Sequence, residues 1–148
     1  MVKVHTIEML EHSAKNFPNV KAHADMINGA LVGFEDGITT APTSGEKLYV
    51  VMNVQRGDKE YDDAYKIAKD ESVNLFDLKN WEDKELDITE ANLEGDYSDI
   101  VVGTELTFDD ATFKFKAGTA TSGDISFTVT KLWGNMVNGF TVKIGVKA

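Results

Sequence analysis

The chain of 148 residues contains no cysteine. Disulfide bonds, thiolate zinc sites, iron–sulfur clusters and a cysteine nucleophile are therefore excluded. Apolar runs are only a few residues long, far below the roughly 20 that a membrane-spanning helix needs, so we expect no membrane partner. The first ten residues lack the apolar stretch of a secretory signal, which predicts synthesis in a cytoplasm.

Basic residues are also scarce. Arg56 is the only arginine, and the 25 acidic residues outnumber the 15 basic ones for a formal charge of −10. Nucleic-acid binders need a basic surface, so we expect no nucleic-acid partner. The charges are unevenly placed, with eighteen acids and five bases in 57–110 but one acid and five lysines in 111–148. This gradient predicts two unlike surfaces that can meet between copies or with a partner.

Alternating polar and apolar residues dominate the last third of the chain. In Ile125–Leu132 the side chains of Ile125, Phe127 and Val129 are predicted to face inward, and Phe140–Val146 repeats the pattern. Such alternation is typical of antiparallel sheets with one solvent-exposed face. Several short strands separated by turns predict a mainly β fold, an antiparallel β-sandwich or small barrel.

Other segments complete the predicted architecture. Leu48–Val54 is continuously apolar and β-branched, which indicates a buried strand. Asn28–Gly29 and Asp36–Gly37 are turn signals. Apolar residues at helical spacing predict one short helix over Asp58–Asp70. Residues 1–28 are predicted to form an N-terminal arm or edge strand, and residues 29–148 a single β-rich domain.

Paired carboxylates are the first candidates for acid–base catalysis, beside a histidine that acts with one acid as a general base. They occur at Asp62–Asp63, Glu82–Glu85 and Asp109–Asp110. A glycoside hydrolase needs two carboxyls held apart in a cleft, which sequence spacing does not show. In so acidic a chain, adjacent acids usually form a solvated face. A small hydrolase that uses carboxylates from Asp58 to Asp110 is therefore kept as the last of three functional hypotheses. We predict that the chain is not an enzyme.

Metal-binding patterns are incomplete. The segment Asp58–Asp62 resembles the start of an EF-hand loop, but Asp63 stands where glycine is needed and Lys69 where glutamate is needed. A looser surface calcium site stays open. The three histidines, His5, His12 and His23, match no standard zinc spacing. We predict no cofactor and no metal.

Aromatic and basic residues suggest an interaction surface. Trp81 and Trp133 suit either a sugar-stacking platform or a protein interface, where tryptophan often anchors contacts. Lys114, Lys116 and Lys131 decorate the final strands. These five residues form the predicted interaction surface.

Two stretches, Val73–Thr89 and Phe127–Val146, resemble small structural proteins of tailed bacteriophages, in particular capsid decoration (cement, or auxiliary head) proteins. The resemblance implies a virion structural protein that binds the outside of the capsid and bridges capsid subunits. Its implied partners are the major capsid protein lattice and other copies of itself, with an N-terminal arm reaching the capsid. The alternative is a carbohydrate- or host-surface-binding module of a phage head fibre or tail, which the two tryptophans motivate.

Overall fold

The computed structural model describes residues 2–4, 20–53, 65–134 and 136–148. Within them lie three short 3₁₀ turns, at Leu78–Trp81, Glu90–Asn92 and Tyr97–Asp99, and no α-helix. The strands of the described residues are β1 (Val2–Val4), β2 (Val20–Lys21), β3 (Met26–Ile27), β4 (Leu31–Glu35), β5 (Ile38–Thr40), β6 (Tyr49–Val51), β7 (Lys66–Ile67), β8 (Ser72–Val73), β9 (Leu75–Asp77), β10 (Glu85–Thr89), β11 (Leu93–Glu94), β12 (Glu105–Phe108), β13 (Phe115–Ala117), β14 (Ile125–Gly134) and β15 (Asn138–Val146).

The strands form two main sheets and a small ribbon. The larger sheet has seven strands in the order β1-β10-β15-β14-β12-β13-β11, and the second has six in the order β8-β2-β5-β4-β6-β9. Strands β3 and β7 pair as a two-stranded ribbon. All pairs are antiparallel except β11–β13 and β2–β5. The predicted mainly β fold, a sandwich or small barrel, is confirmed, and one sheet is nearly closed like a barrel.

Strand β6 of the six-stranded sheet is buried on both faces. Val50 of β6 packs into the main core with Phe127 and Phe140 of the larger sheet. Tyr49 and Val51 point the other way, into a second core beneath the β3–β7 ribbon. A strand buried on both faces needs apolar residues at every position, which explains the continuous apolar run there. The predicted burial is confirmed for Tyr49–Val51.

Local turn chemistry behaves as the sequence indicates. Asp36 and Gly37 both have positive φ, 51° and 82°, and they join β4 to β5 as a two-residue hairpin loop. Such loops match the twist of the flanking strands, which is why Asn-Gly and Asp-Gly pairs favour hairpins. Gly29, after Asn28, likewise turns the chain between β3 and β4 with a φ of 94°.

The helix prediction fails where it can be compared with the structure. Residues 58–64 of the predicted Asp58–Asp70 helix lie outside the described residues, but Lys66–Ile67 form strand β7. Ile67 pairs with Met26 and is buried in the second core. Tertiary pairing therefore overrides the weak helical spacing of this segment.

The N-terminal 28 residues contribute strands to the body. Val2–Val4 is the edge strand of the larger sheet and pairs antiparallel with β10. Strands β2 and β3 belong to the six-stranded sheet and the ribbon, and Val20 and Met26 are buried in the second core. The described parts of residues 1–28 thus pack with 29–148, while residues 5–19 lie outside the description.

Candidate functional site

A β-bulge in strand β14 decides which side chains reach the outer face of the larger sheet. The register shifts between Val129, which pairs with Val142, and Lys131, which pairs with Thr141. Val129 faces the core, and in a regular strand Lys131 and Trp133 would share that side. The extra residue of the bulge reverses the alternation, so that both side chains line the outer face.

The indole of Trp133 is laid over the backbone of Gly139. The ring atoms Cη2, Cζ2 and Cζ3 are nearly equidistant from the point where a Cβ of residue 139 would stand, so the ring lies flat on the glycine. Any larger residue at 139 would overlap the ring. The hydroxyl of Tyr97 lies 2.8 Å from the Gly139 carbonyl and 3.0 Å from the Trp133 carbonyl, which ties this end of the hairpin together.

A row of polar side chains crosses the same face. Lys3 of β1 is opposite Asp87 of β10, Asp87 is opposite Thr141 of β15, and Thr141 is opposite Lys131 of β14. The Thr141 hydroxyl donates to Asp87 Oδ1 at 2.7 Å. Together with Trp133 these residues line a groove of about 440 Å³, completed by Glu85, Thr89 and Val137. We call this feature the Trp133 groove.

The residues of the predicted interaction surface lie at several different places in the structure. Lys131 and Trp133 come together in the Trp133 groove. Lys114 lines a different cavity, of about 520 Å³, beside the β3–β7 ribbon. Lys116 forms an ion pair with Asp109 at 3.6 Å.

Trp81 does not belong to the predicted interaction surface, and its inclusion there was wrong. Its side chain is fully buried in the main core and stacks on Phe76, with ring centroids 5.4 Å apart. Asp77 accepts a hydrogen bond from the Lys79 amide at 3.0 Å and so caps the 3₁₀ turn. With three residues per turn, Leu78 and Trp81 lie on the same side, and both are buried.

The charge gradient along the sequence is not a separation in space. Three of the five lysines in residues 111–148 pair with acids from residues 57–110: Lys116 with Asp109 at 3.6 Å, Lys143 with Asp83 at 3.9 Å and Lys147 with Glu105 at 3.0 Å. The strands from the two segments are neighbours in one sheet, so their charges interleave. The expectation of two segregated surfaces is therefore wrong for these lysines.

Exposed apolar side chains occur at the turn of the β14–β15 hairpin and in the segment that runs beside β14. Segment 97–104 runs alongside β14, because Gly103 N donates to the Val129 carbonyl at 2.8 Å and Tyr97 binds the far end of the strand. Five of the seven large exposed apolar residues among those described belong to this segment or to the hairpin end. They are Val101, Val102, Leu132, Met136 and Val137, and we call them the apolar end.

Three carboxyl groups outside the groove, those of Asp96, Glu105 and Asp109, are engaged in turns and ion pairs. Asp109 Oδ1 accepts hydrogen bonds from the amides of Thr112 and Ala111, both at 2.9 Å, and these bonds lower the pKa of Asp109. The pKa of Glu105 is lowered mainly by its bond to Lys147, and that of Asp96 by the Ser98 amide. These shifts are opposite to the raised pKa that a general acid needs. Asp62–Asp63 lie outside the described residues.

His23 is the only histidine within the described residues, since His5 and His12 lie outside them. Its Nδ1 is 2.6 Å from Thr39 Oγ1, and its ring meets Phe113 edge-on. Burial lowers the pKa of His23. In the part of the chain that is described, no three His, Cys, Asp or Glu side chains are grouped so as to hold a metal ion. The EF-hand-like segment Asp58–Asp62 is outside that part.

Sequence reasoning missed Lys3, Asp87, Thr141 and Gly139. Alternation in Glu85–Thr89 would place Asp87 outward, because Leu86 and Ile88 are apolar and buried. What the sequence does not reveal is that β10 lies between β1 and β15, which brings these residues beside Trp133.

Within the described residues, no helix has the length and apolar character to span a membrane. Comparison with known proteins finds no matching family model, no matching curated protein and no matching solved structure.

Proposed function

We propose that this chain is a non-enzymatic virion structural protein that docks on the outer surface of a phage capsid and stabilises the shell by bridging capsid subunits. The observation that carries the proposal is the apolar end. The choice of a capsid as partner rests on the resemblance of Val73–Thr89 and Phe127–Val146 to decoration proteins.

The apolar end has the composition of a protein-binding surface. Met136 is 96 % exposed, and Val101 and Val102 are 59 % and 62 % exposed. Single exposed apolar residues are normal, but several of them along one hairpin and the segment beside it favour a contact with another macromolecule. Burying such side chains against a capsid would contribute about 25 cal/mol for each Å² removed from water.

Part of the apolar end is also ordered before any partner binds. The hydrogen bonds of Tyr97 and Gly103 fix the segment that carries Val101 and Val102 against strand β14. A contact surface that is already ordered loses less entropy on binding. Because a shell repeats the same site many times, modest affinity is sufficient when one subunit touches several capsid proteins. The formal charge of −10 keeps free copies apart before docking.

The test uses phage heads assembled from a major capsid protein in the absence of this protein. Purified protein should sediment with the heads to saturation and raise their thermal rupture temperature. Met136→Ser and Val101→Ser should each weaken binding by about tenfold, which corresponds to ~1.4 kcal/mol. Ile38→Ser is the matched control, since Ile38 is 48 % exposed but lies away from the apolar end. Absence of binding, or equal losses in all three variants, would contradict the proposal.

A further inference from the structure

We propose that the Trp133 groove is a binding site for a neutral oligosaccharide. The site adjoins the apolar end at Val137 but does not depend on capsid docking. Three features of the groove support a saccharide ligand: its platform, its polar rim and its balance of charge.

The platform is the indole of Trp133. Sugar rings carry faces made of C–H groups, which pack against the electron-rich face of an aromatic ring. Gly139 supports the inner face of the indole, and the outer face lines the groove. The ring is thus fixed before a ligand arrives, so binding does not have to order it.

The rim supplies both hydrogen-bond donors and acceptors. Lys3 and Lys131 bring ammonium donors, and Asp87 brings carboxylate oxygens, one of which accepts from the buried Thr141 hydroxyl at 2.7 Å. They lie in one cross-strand row beside the platform. A sugar hydroxyl is both a donor and an acceptor, so the hydroxyls of one ring match a row that has ammonium donors on both sides of a carboxylate acceptor.

The charges around the groove balance. Two lysines, Lys3 and Lys131, face two carboxylates, Glu85 and Asp87, so the groove selects neither an anion nor a cation. A neutral polar ligand fits this balance best. The volume of about 440 Å³ lies within the roughly 300–1,000 Å³ of small-ligand sites.

Trp133 of the groove and Leu132 of the apolar end are on different sides of strand β14, although Val137 belongs to both surfaces. Leu132 of the apolar end pairs with Phe140, whose side chain is in the core, whereas Trp133 pairs with Gly139 and faces outward. A substitution can therefore disturb one surface and leave the other intact, and the two proposals can fail independently.

Intrinsic fluorescence reports on the groove directly. The chain has two tryptophans, and Trp81 is fully buried, so iodide quenching and ligand-induced shifts report Trp133. The probes are maltotetraose, cellotetraose, chitotetraose and mannotetraose, with sialyllactose as an anionic comparison. We expect at least one neutral tetraose to shift the emission saturably and to protect Trp133 from iodide, and sialyllactose to have a smaller effect.

Variants separate stacking from general surface effects. By titration calorimetry with the best tetraose, Trp133→Ala should lose at least about tenfold in affinity, or ~1.4 kcal/mol. Gly139→Ala should also weaken binding, because its methyl group displaces the ring from its seat. Thr128→Ala, on the same strand and face but outside the groove, should bind normally.

Three results would overturn the proposal. One is that none of the five probes changes the Trp133 emission. Another is that affinity is unchanged in Trp133→Ala. The third is that the emission shifts with protein concentration alone, which would make a second copy of the chain the occupant of the groove. Sedimentation with heads, measured on Trp133→Ala, shows separately whether capsid docking persists.

Discussion

Replacing the two tryptophans one at a time should have very different costs. Trp81 is fully buried and stacks on Phe76. Burying a tryptophan removes up to about 250 Å² from water, which sets an upper value near 6 kcal/mol at ~25 cal/mol per Å². Core Trp→Ala substitutions typically cost about 3–5 kcal/mol. We therefore expect Trp81→Ala to lower the free energy of unfolding by about 4 kcal/mol.

Trp133→Ala should cost only about 1 kcal/mol. The ring is partly exposed and packs on one side, against the backbone of Gly139. Its removal leaves a wider surface groove that water can fill, so no cavity penalty is added. The two substitutions delete the same atoms, and the difference of about 3 kcal/mol follows from burial alone.

Urea unfolding followed by far-ultraviolet circular dichroism measures both effects without relying on tryptophan emission. With a slope of about 2 kcal/mol per molar, the midpoint should fall by roughly 2 M for Trp81→Ala and by about 0.5 M for Trp133→Ala. Trp81→Phe, which keeps a ring on Phe76, guards against complete unfolding and should fall between them. Equal shifts, or a larger shift for Trp133→Ala, would refute the assignment of Trp81 to the core.

Three further substitutions test other parts of the structure. Gly29→Ala should destabilise by at least about 2 kcal/mol, measured by calorimetry, because φ is 94° and the added Cβ would stand 2.6 Å from Val2 Cγ2; an unchanged melting temperature would disprove the close packing. Asp124→Ala should cost about 2 kcal/mol in urea, because a carboxylate that accepts from the Ser44 hydroxyl at 2.7 Å is lost, whereas Asp124→Asn should cost less. The lowered pKa of Asp109 stabilises the fold above the unfolded-state pKa of about 3.9, and this contribution disappears as pH falls through the folded-state pKa; Asp109→Asn should therefore reduce the loss of stability below about pH 4, and an identical pH profile would contradict this.

Local patterns were sufficient to predict the β class and several individual strands. Alternation in Ile125–Leu132 placed Ile125, Phe127 and Val129 in the core, and all three are buried. The Asp36–Gly37 pair predicted a hairpin turn, since few residue pairs accept positive φ twice in succession. These features depend on neighbouring residues only. Strand order does not, and the position of β10 between β1 and β15 had no local signal.

The two tryptophans show the same limit within the candidate site. Residue type alone did not distinguish Trp81 from Trp133. The sequence does contain a local indication that Trp81 is buried. Leu78 and Trp81 are three residues apart and follow Asp77, which is the spacing that puts two side chains on one face of a capped 3₁₀ turn. That spacing indicates burial, while a platform residue needs a small neighbour beneath it. For Trp133 this neighbour is Gly139, which is six residues away and is brought there only by the hairpin.

The proposed sugar platform ultimately depends on the single bulge in β14. Strict alternation along the strand would place Lys131 and Trp133 on the same side as Val129, with a lysine charge in the core. The adjacent polar residues Thr130 and Lys131 break that alternation, because burying either would leave a polar group without water. A one-residue shift at this point keeps the side chains of Thr130 and Lys131 out of the core. It also returns Leu132 to the inner side of the strand and turns Trp133 outward. The cost of burying Lys131 is thus the physical reason that an aromatic ring lies on the outer face.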